Sequence, residues 1–210
     1  RVGIICGSDS DLEKASDACK ILDELGVAYD LRIASAHRTP ELLEEYMSTA
    51  EERGGEVIIA AAGWAAHLPG VVASYTTLPV IGIPIDSSCL NGMDSLLSIV
   101  QMPPGIPVAT MSIGKGGARN AGIYAASILA IKYPEIKESL NNFRQSLKDK
   151  VKKAAEILNL GITNYEKFSS REYDGEQNVA LPSKKCDLIY NSVGKKKKHI
   201  RYYDTLNLLP

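Results

Sequence analysis

Three short segments carry side chains able to move a proton or hold an anion. Ser35-Ala36-His37-Arg38-Thr39-Pro40 contains one of only three histidines in 210 residues. An imidazole with the ordinary pKa of about 6.5 gives and takes protons near neutral pH. Arg38 beside it can clamp a phosphate or carboxylate through its planar fork, and its charge favours the neutral form of His37. The second segment, Gly7-Ser8-Asp9-Ser10-Asp11, places two hydroxyl donors, Ser8 and Ser10, where a helix start would attract a phosphate. Asp11 is better suited to ribose hydroxyls or to capping the helix, and for this loop alone simple capping is an equal explanation. The third is Ala62-Gly63-Trp64-Ala65-Ala66-His67-Leu68-Pro69-Gly70, whose small residues permit close backbone approach to a ligand, with His67 as a second polar group. Taken singly, His37 and His67 have plainer readings as solvated or packed structural histidines. A fourth stretch, Gly114-Lys115-Gly116-Gly117, lacks the spacing of a Walker loop and reads as backbone fitting or another anion-friendly helix start.

Such loops act together only if the fold brings them together. Short apolar runs at Val2–Cys6, Tyr29–Ala34, Val57–Ala62, Val80–Ile85 and Val108–Ile113 read as strands buried on both faces. Longer patterns between them read as helices at Leu12–Leu25, Glu41–Arg53, Asp94–Met102 and Ala118–Tyr133. This alternation predicts an α/β fold, a flavodoxin-like three-layer sandwich around a parallel sheet of about five strands. Ligands of such sheets bind at the carboxyl ends of the strands, where all three loops fall. Pro40 opens a helix, which puts His37 on a turn facing the Ser8–Ser10 loop.

A long helix is expected from Pro134 to Leu160, with Gly161 just past its end. Its apolar residues Ile136, Leu140, Phe143, Leu147, Val151, Ala154 and Leu158 form a coiled-coil-like seam, expected to pack on a neighbouring subunit rather than on its own core. Residues 1–161 thus read as the catalytic domain and 162–210 as an extended, basic, tyrosine-rich tail. The tail holds 9 Lys and Arg against 6 Asp and Glu, and five of the ten tyrosines. The remainder is mildly acidic, which argues against a nucleic-acid platform. A hydrophobic content of 45% suffices for a real core, while no apolar run approaches a membrane span. Cys6, Cys19, Cys89 and Cys186 form no CxxC pair, so they are expected to be reduced thiols of a cytoplasmic protein without structural metal. The start at Arg1, without Met or an export leader, is expected of a trimmed or longer polypeptide.

Four ordered motifs make a resemblance specific: Gly7 to Asp11, Ser35 to Pro40, Ala65 to Gly70, and the run DSLLSIVQMPPGIPVAT from Asp94 to Thr110. Over residues 2 to about 160 the chain resembles the N5-carboxyaminoimidazole ribonucleotide mutase family of purine biosynthesis. The resemblance implies transfer of a carboxylate from an exocyclic amine to a ring carbon of aminoimidazole ribonucleotide, without metal, ATP or organic cofactor. It implies His37 as the general acid/base, Ser8, Ser10 and Arg38 on the phosphate, and Asp11 on the ribose. Ser35, Ala36, Gly63, His67 and Leu68 would surround the carboxylate or CO2. It also implies a homo-octamer with no membrane or nucleic-acid partner. Trp64 departs from the family, which often has Gly there, so either the pocket is narrower or the indole turns outward. The alternatives are a direct carboxylase using free CO2 and a non-catalytic nucleotide-binding module.

Overall fold

The computed structural model describes the backbone of residues 1–169 and the side chains of residues 1–158. Its core is a run of β-branched and small residues that cannot be solvated on either side. Ile58 and Ile59, adjacent in sequence and therefore on opposite faces of one strand, are both fully buried. Helices must therefore cover both faces of the sheet.

The strands are β1 (Val2–Cys6), β2 (Tyr29–Ile33), β3 (Val57–Gly63), β4 (Val80–Ile85) and β5 (Ala109–Thr110), all parallel, in the spatial order β2-β1-β3-β4-β5. One face carries Ile4, Ile59 and Ile83 against helices α1 (Leu12–Glu24) and α5 (Lys115–Leu129). The other carries Ile5, Ile58 and Ala60 against α2 (Pro40–Ser48), α3 (Leu68–Tyr75) and α4 (Met93–Val100). This is the expected three-layer sandwich. Helix α1 shows how local chemistry sets a boundary. Ala15, Cys19 and Leu22 face the core, and Gly26, at φ 71°, ends the helix. The Gly26 N–H donates to Asp23 O at 3.1 Å and the Val27 N–H to Leu22 O at 2.9 Å, a paired C-terminal closure.

Several expectations need correction. Helix α3 was missing from the sequence pattern, because Leu68-Pro69-Gly70 reads as a turn although proline suits a first helical turn. Strand β2 is only partly covered: Leu31 is 38% and Ile33 48% exposed, as befits an edge strand. Strand β5 shrinks from six expected residues to Ala109–Thr110, and α5 begins at Lys115 rather than Ala118.

The chain divides between Leu147 and Lys148 into two units. Helix α6 (Pro134–Ser169) starts in the first. There Ile136 and Leu140 are buried in the chain's own core, with Phe143 packed against it, so the seam's first turns are intramolecular. Beyond them, in the second unit, Val151 and Leu158 are exposed. Helix α6 also continues through Gly161 to Ser169, since an interior glycine costs a helix only about 1 kcal/mol and is no stop by itself. The start of the expected extended tail, 162–169, is therefore helical, and the rest lies outside the described residues.

Candidate functional site

Strand order decides where a site can form. The chain runs outward from β1 to β2 and then returns past β1 to β3, so the loops after β1 and β3 separate at their carboxyl ends and leave a crevice. A cleft of about 520 Å³ occupies it. Residues 7–11, 35–38, 62–68 and Ser87 line it. Every expected site residue is among them: Ser8, Ser10, Asp11, Ser35, Ala36, His37, Arg38, Gly63, His67 and Leu68.

At one end, a 3-10 turn (Asp9–Asp11) joins β1 to α1. Neither Ser8 nor Asp11 makes a side-chain bond from its N-cap position into the helix it precedes. Instead the Ser8 hydroxyl donates to Asp11 Oδ2 at 3.1 Å. Its one proton thus committed, Ser8 accepts from the Ser10 hydroxyl, 2.6 Å away. Asp11 is 5% exposed. Burial pushes its carboxyl above the usual range, and the bonds from Ser8 and the charges of Lys14 and Arg38 pull it part of the way back.

The turn bearing His37 is held closed by its neighbours. The Thr39 N–H donates to Ser35 O at 3.0 Å, the Ser35 N–H to Thr39 Oγ1 at 3.0 Å, and the Arg38 N–H to Ser35 Oγ at 3.2 Å. Arg38 then reaches across to the first loop, donating from its guanidinium to Gly7 O at 3.0 Å. His37, at the apex, meets the third loop: its Nε2 lies 2.7 Å from His67 Nδ1, the rings edge to face at 77°. That bond admits a single hydrogen, so one imidazole must present a bare nitrogen to the other.

The third loop is built tightly. An added Cβ on Gly63 would lie 1.9 Å from Ser87 Oγ, so glycine is what lets the β4 loop close over the β3 end. Trp64 adopts φ 56°, a left-handed conformation costing an L-residue roughly 1–2 kcal/mol, and is 63% exposed. The indole is thus mostly turned out, while remaining part of the cleft lining. The Gly114–Gly117 stretch lies elsewhere. A Cβ on Gly117 would meet Ser112 O at 1.6 Å, which supports backbone fitting over an anion site.

All lining residues fall within residues 1–150, which match the family model described as AIR carboxylase. The chain belongs to the AIR carboxylase family. It is 63% identical over 148 residues to the N5-carboxyaminoimidazole ribonucleotide mutase of Pyrococcus abyssi, covering 70% of this chain and 84% of that protein. To the mutase of the same name from Thermotoga maritima it is 57% identical over 166 residues, covering 79% of this chain and 96% of the relative. Among solved structures, Treponema denticola PurE matches with a TM-score of 0.69 at 29% identity, covering 75% of this chain and 97% of that one.

In this AIR carboxylase family chain, sequence reasoning overlooked Ser87 and the residues that hold it. Lys14 of α1 bonds both the carboxylate and the carbonyl of Asp86, at 2.5 and 3.1 Å, pinning the turn after β4. Ser95, fully buried, donates from its hydroxyl toward Ile85 O and Gly92 O, each at 2.9 Å. The Asp94–Thr110 motif therefore supports the β4 loop from behind rather than lining the cleft. A strand end rich in Asp, Ser and Cys was the available signal for Ser87. Thr39 was another miss, legible only as the hydroxyl that could close the Ser35 turn.

Proposed function

We propose that the cleft converts N5-carboxyaminoimidazole ribonucleotide to 4-carboxyaminoimidazole ribonucleotide in de novo purine biosynthesis, with His37 as general acid/base. The observation that carries this reading is the 2.7 Å contact between His37 and His67 in a cleft whose adjoining wall is glycine and alanine. Loss of CO2 from the carbamate requires one proton at the exocyclic nitrogen. Attack of the electron-rich ring carbon on CO2 then gives a cationic ring, which must lose the proton on that carbon. One proton is taken up and one released, so a single base that donates the first and receives the second ends each cycle as it began. His37 fits that role, with His67 holding its ring in orientation through their shared hydrogen.

The remaining groups divide by place. Ser8, Ser10 and Arg38 bind the 5′-phosphate, where hydroxyls and a guanidinium gather beside a turn that opens a helix. Asp11 holds the ribose hydroxyls. Ser35, Ala36, Gly63, His67 and Leu68 enclose the carboxylate or CO2, which must stay near the ring because rate depends on recapture before escape. A cytoplasmic homo-octamer belongs to the same proposal. Its support is the family resemblance and the exposed Leu90, Met93, Leu97 and Val100 on and beside α4. Mass photometry tests the oligomer.

The test of function supplies purified N5-carboxyaminoimidazole ribonucleotide and follows product without added bicarbonate, alongside a His37→Asn variant. Turnover by the wild type, abolished in the variant while binding persists, is expected. Strict dependence on bicarbonate would favour a direct carboxylase, and near-normal activity of the variant would remove His37 from its role.

A further inference from the structure

Trp64 is the only tryptophan in the chain, and its setting is unfavourable on two counts. Its φ of 56° belongs to a region that bulky side chains rarely adopt, and the residue is 63% exposed. Neither core cluster includes it. The stretch from Ala62 to Ala66 otherwise offers only glycine and alanine, and Leu68 is 3% exposed. Trp64 therefore supplies the one broad, accessible apolar surface of the cleft lining. It lines the cleft, follows Gly63 directly and precedes by three residues His67, whose ring meets that of His37.

We infer that Trp64 recognises the substrate's heterocycle, laying its indole against the five-membered ring while the sugar and phosphate occupy the Ser8–Arg38 end. This rests on the reading of function given above and deepens it. The partner chemistry suits an indole: the ring is planar and electron-rich, and it becomes cationic once the ring carbon is carboxylated. A cation over an indole face is attracted by the ring's quadrupole, so the contact strengthens as the reaction proceeds and contributes to kcat as well as to binding. The same cover hinders water from entering and CO2 from leaving. The strained backbone then has a purpose, since a left-handed residue after Gly63 keeps the side chain out of the core and at the cleft's lining, where a ligand can meet it.

Tryptophan emission reports on this residue alone. Wild-type protein is titrated with aminoimidazole ribonucleotide and, separately, with ribose 5-phosphate, which carries the sugar and phosphate without the heterocycle. Kinetics on N5-carboxyaminoimidazole ribonucleotide are measured for wild type, Trp64→Gly and Trp64→Phe. A saturable emission change with the nucleotide and little with ribose 5-phosphate is expected. Trp64→Gly should lower kcat/KM by roughly three- to tenfold, the range of one aromatic contact, and Trp64→Phe should restore most of it. Glycine accepts the left-handed backbone, so Trp64→Gly should melt no lower than wild type, and its defect is not one of folding. Equal emission responses to both ligands, or unchanged kcat/KM in Trp64→Gly, would overturn the inference. So would emission that ignores ligand but shifts on dilution, which would assign the indole to a subunit interface. An absence of turnover in the wild type would sink the functional reading itself, whereas normal turnover in both wild type and Trp64→Gly would remove only Trp64.

Discussion

Replacing Gly63 by alanine probes the tightest closure in the site. The added Cβ would meet Ser87 Oγ at 1.9 Å, Ser87 Cβ at 3.1 Å and Ile85 O at 3.3 Å. The hydroxyl can rotate away about χ1 and a shift of a few tenths of an ångström in the exposed turn after β4 relieves the Ser87 Cβ contact, leaving only the Ile85 carbonyl of buried β4, at 3.3 Å, to be accommodated. Overpacking of that kind costs about 1–3 kcal/mol, and the low end applies because the turn can move. Alanine in a strand is intrinsically better than glycine by about 0.5–1 kcal/mol, so the net loss of stability should be near 1 kcal/mol or less. That corresponds to a Tm about 2–4 °C lower at most for a domain of this size. Activity should suffer far more. A methyl in the carboxylate wall and a displaced Ser87 misplace reacting groups by about 1 Å, worth on the order of a hundredfold in kcat/KM. The decisive assay is a double-mutant cycle by urea denaturation. In a Ser87→Gly background both serine contacts vanish, and Gly63→Ala should become neutral or stabilising, a coupling of roughly 1 kcal/mol. Additive effects would refute the clash, and native kcat/KM in Gly63→Ala would refute the placement of this wall against the reacting group.

Burial raises the Asp11 pKa above its unfolded value, so its contribution to stability is present in full below the unfolded pKa and lost as pH rises through the folded one. Asp11→Asn should accordingly melt higher than wild type at pH 7, converge with it below about pH 4, and raise KM about tenfold through a weakened ribose contact, as melting curves and steady-state kinetics will show. The Lys14 bond holds the Asp86 carboxyl below its usual range, so that stability is present above the unfolded pKa and fades as pH falls through the folded one. Lys14→Met should cost at most about 1 kcal/mol at pH 7, because solvent screens the pair, with a deficit that shrinks in acid. Its kcat/KM should drop as the Ser87 turn loosens; unchanged kinetics would show that the turn needs no pin. Burial, with Asp11 and Cys19, pushes the Cys6 thiol up to about 12, whereas Cys89 is exposed. Iodoacetamide at pH 8 followed by peptide mapping should modify Cys89 and spare Cys6 until the protein unfolds.

The alternation of β-branched runs with amphipathic helices made the sandwich legible, because every layer is specified by a local period. Where periods are short or composition misleads, the reading failed. Leu68-Pro69-Gly70 looks like a turn and starts a helix, and β5 pairs through two residues only. The site was legible wherever one short loop supplies the chemistry by itself, as at Ser35–Pro40 with His37 and at Gly63–His67. The His37–His67 contact, the Lys14–Asp86 pin and the Gly63–Ser87 closure join residues 30, 72 and 24 positions apart, and no local pattern encodes such pairings. The left-handed backbone of Trp64 was equally hidden, since sequence marks such positions only when glycine or asparagine fills them.

The parallel order β2-β1-β3-β4-β5 has a consequence for how activity is acquired. Parallel neighbours cannot be joined by a tight hairpin, so each pairing must wait for an intervening helix to be made and docked. The cleft draws on the turns after β1, β2, β3 and β4, and β1 sits between the two strands that follow it in the chain. No fragment ending before the turn after β4 can hold the complete site, because Ser87 belongs to that turn. During refolding, catalysis should therefore return as a single late event, after helical signal has been recovered, and make turnover a sensitive clock for completion of the sheet.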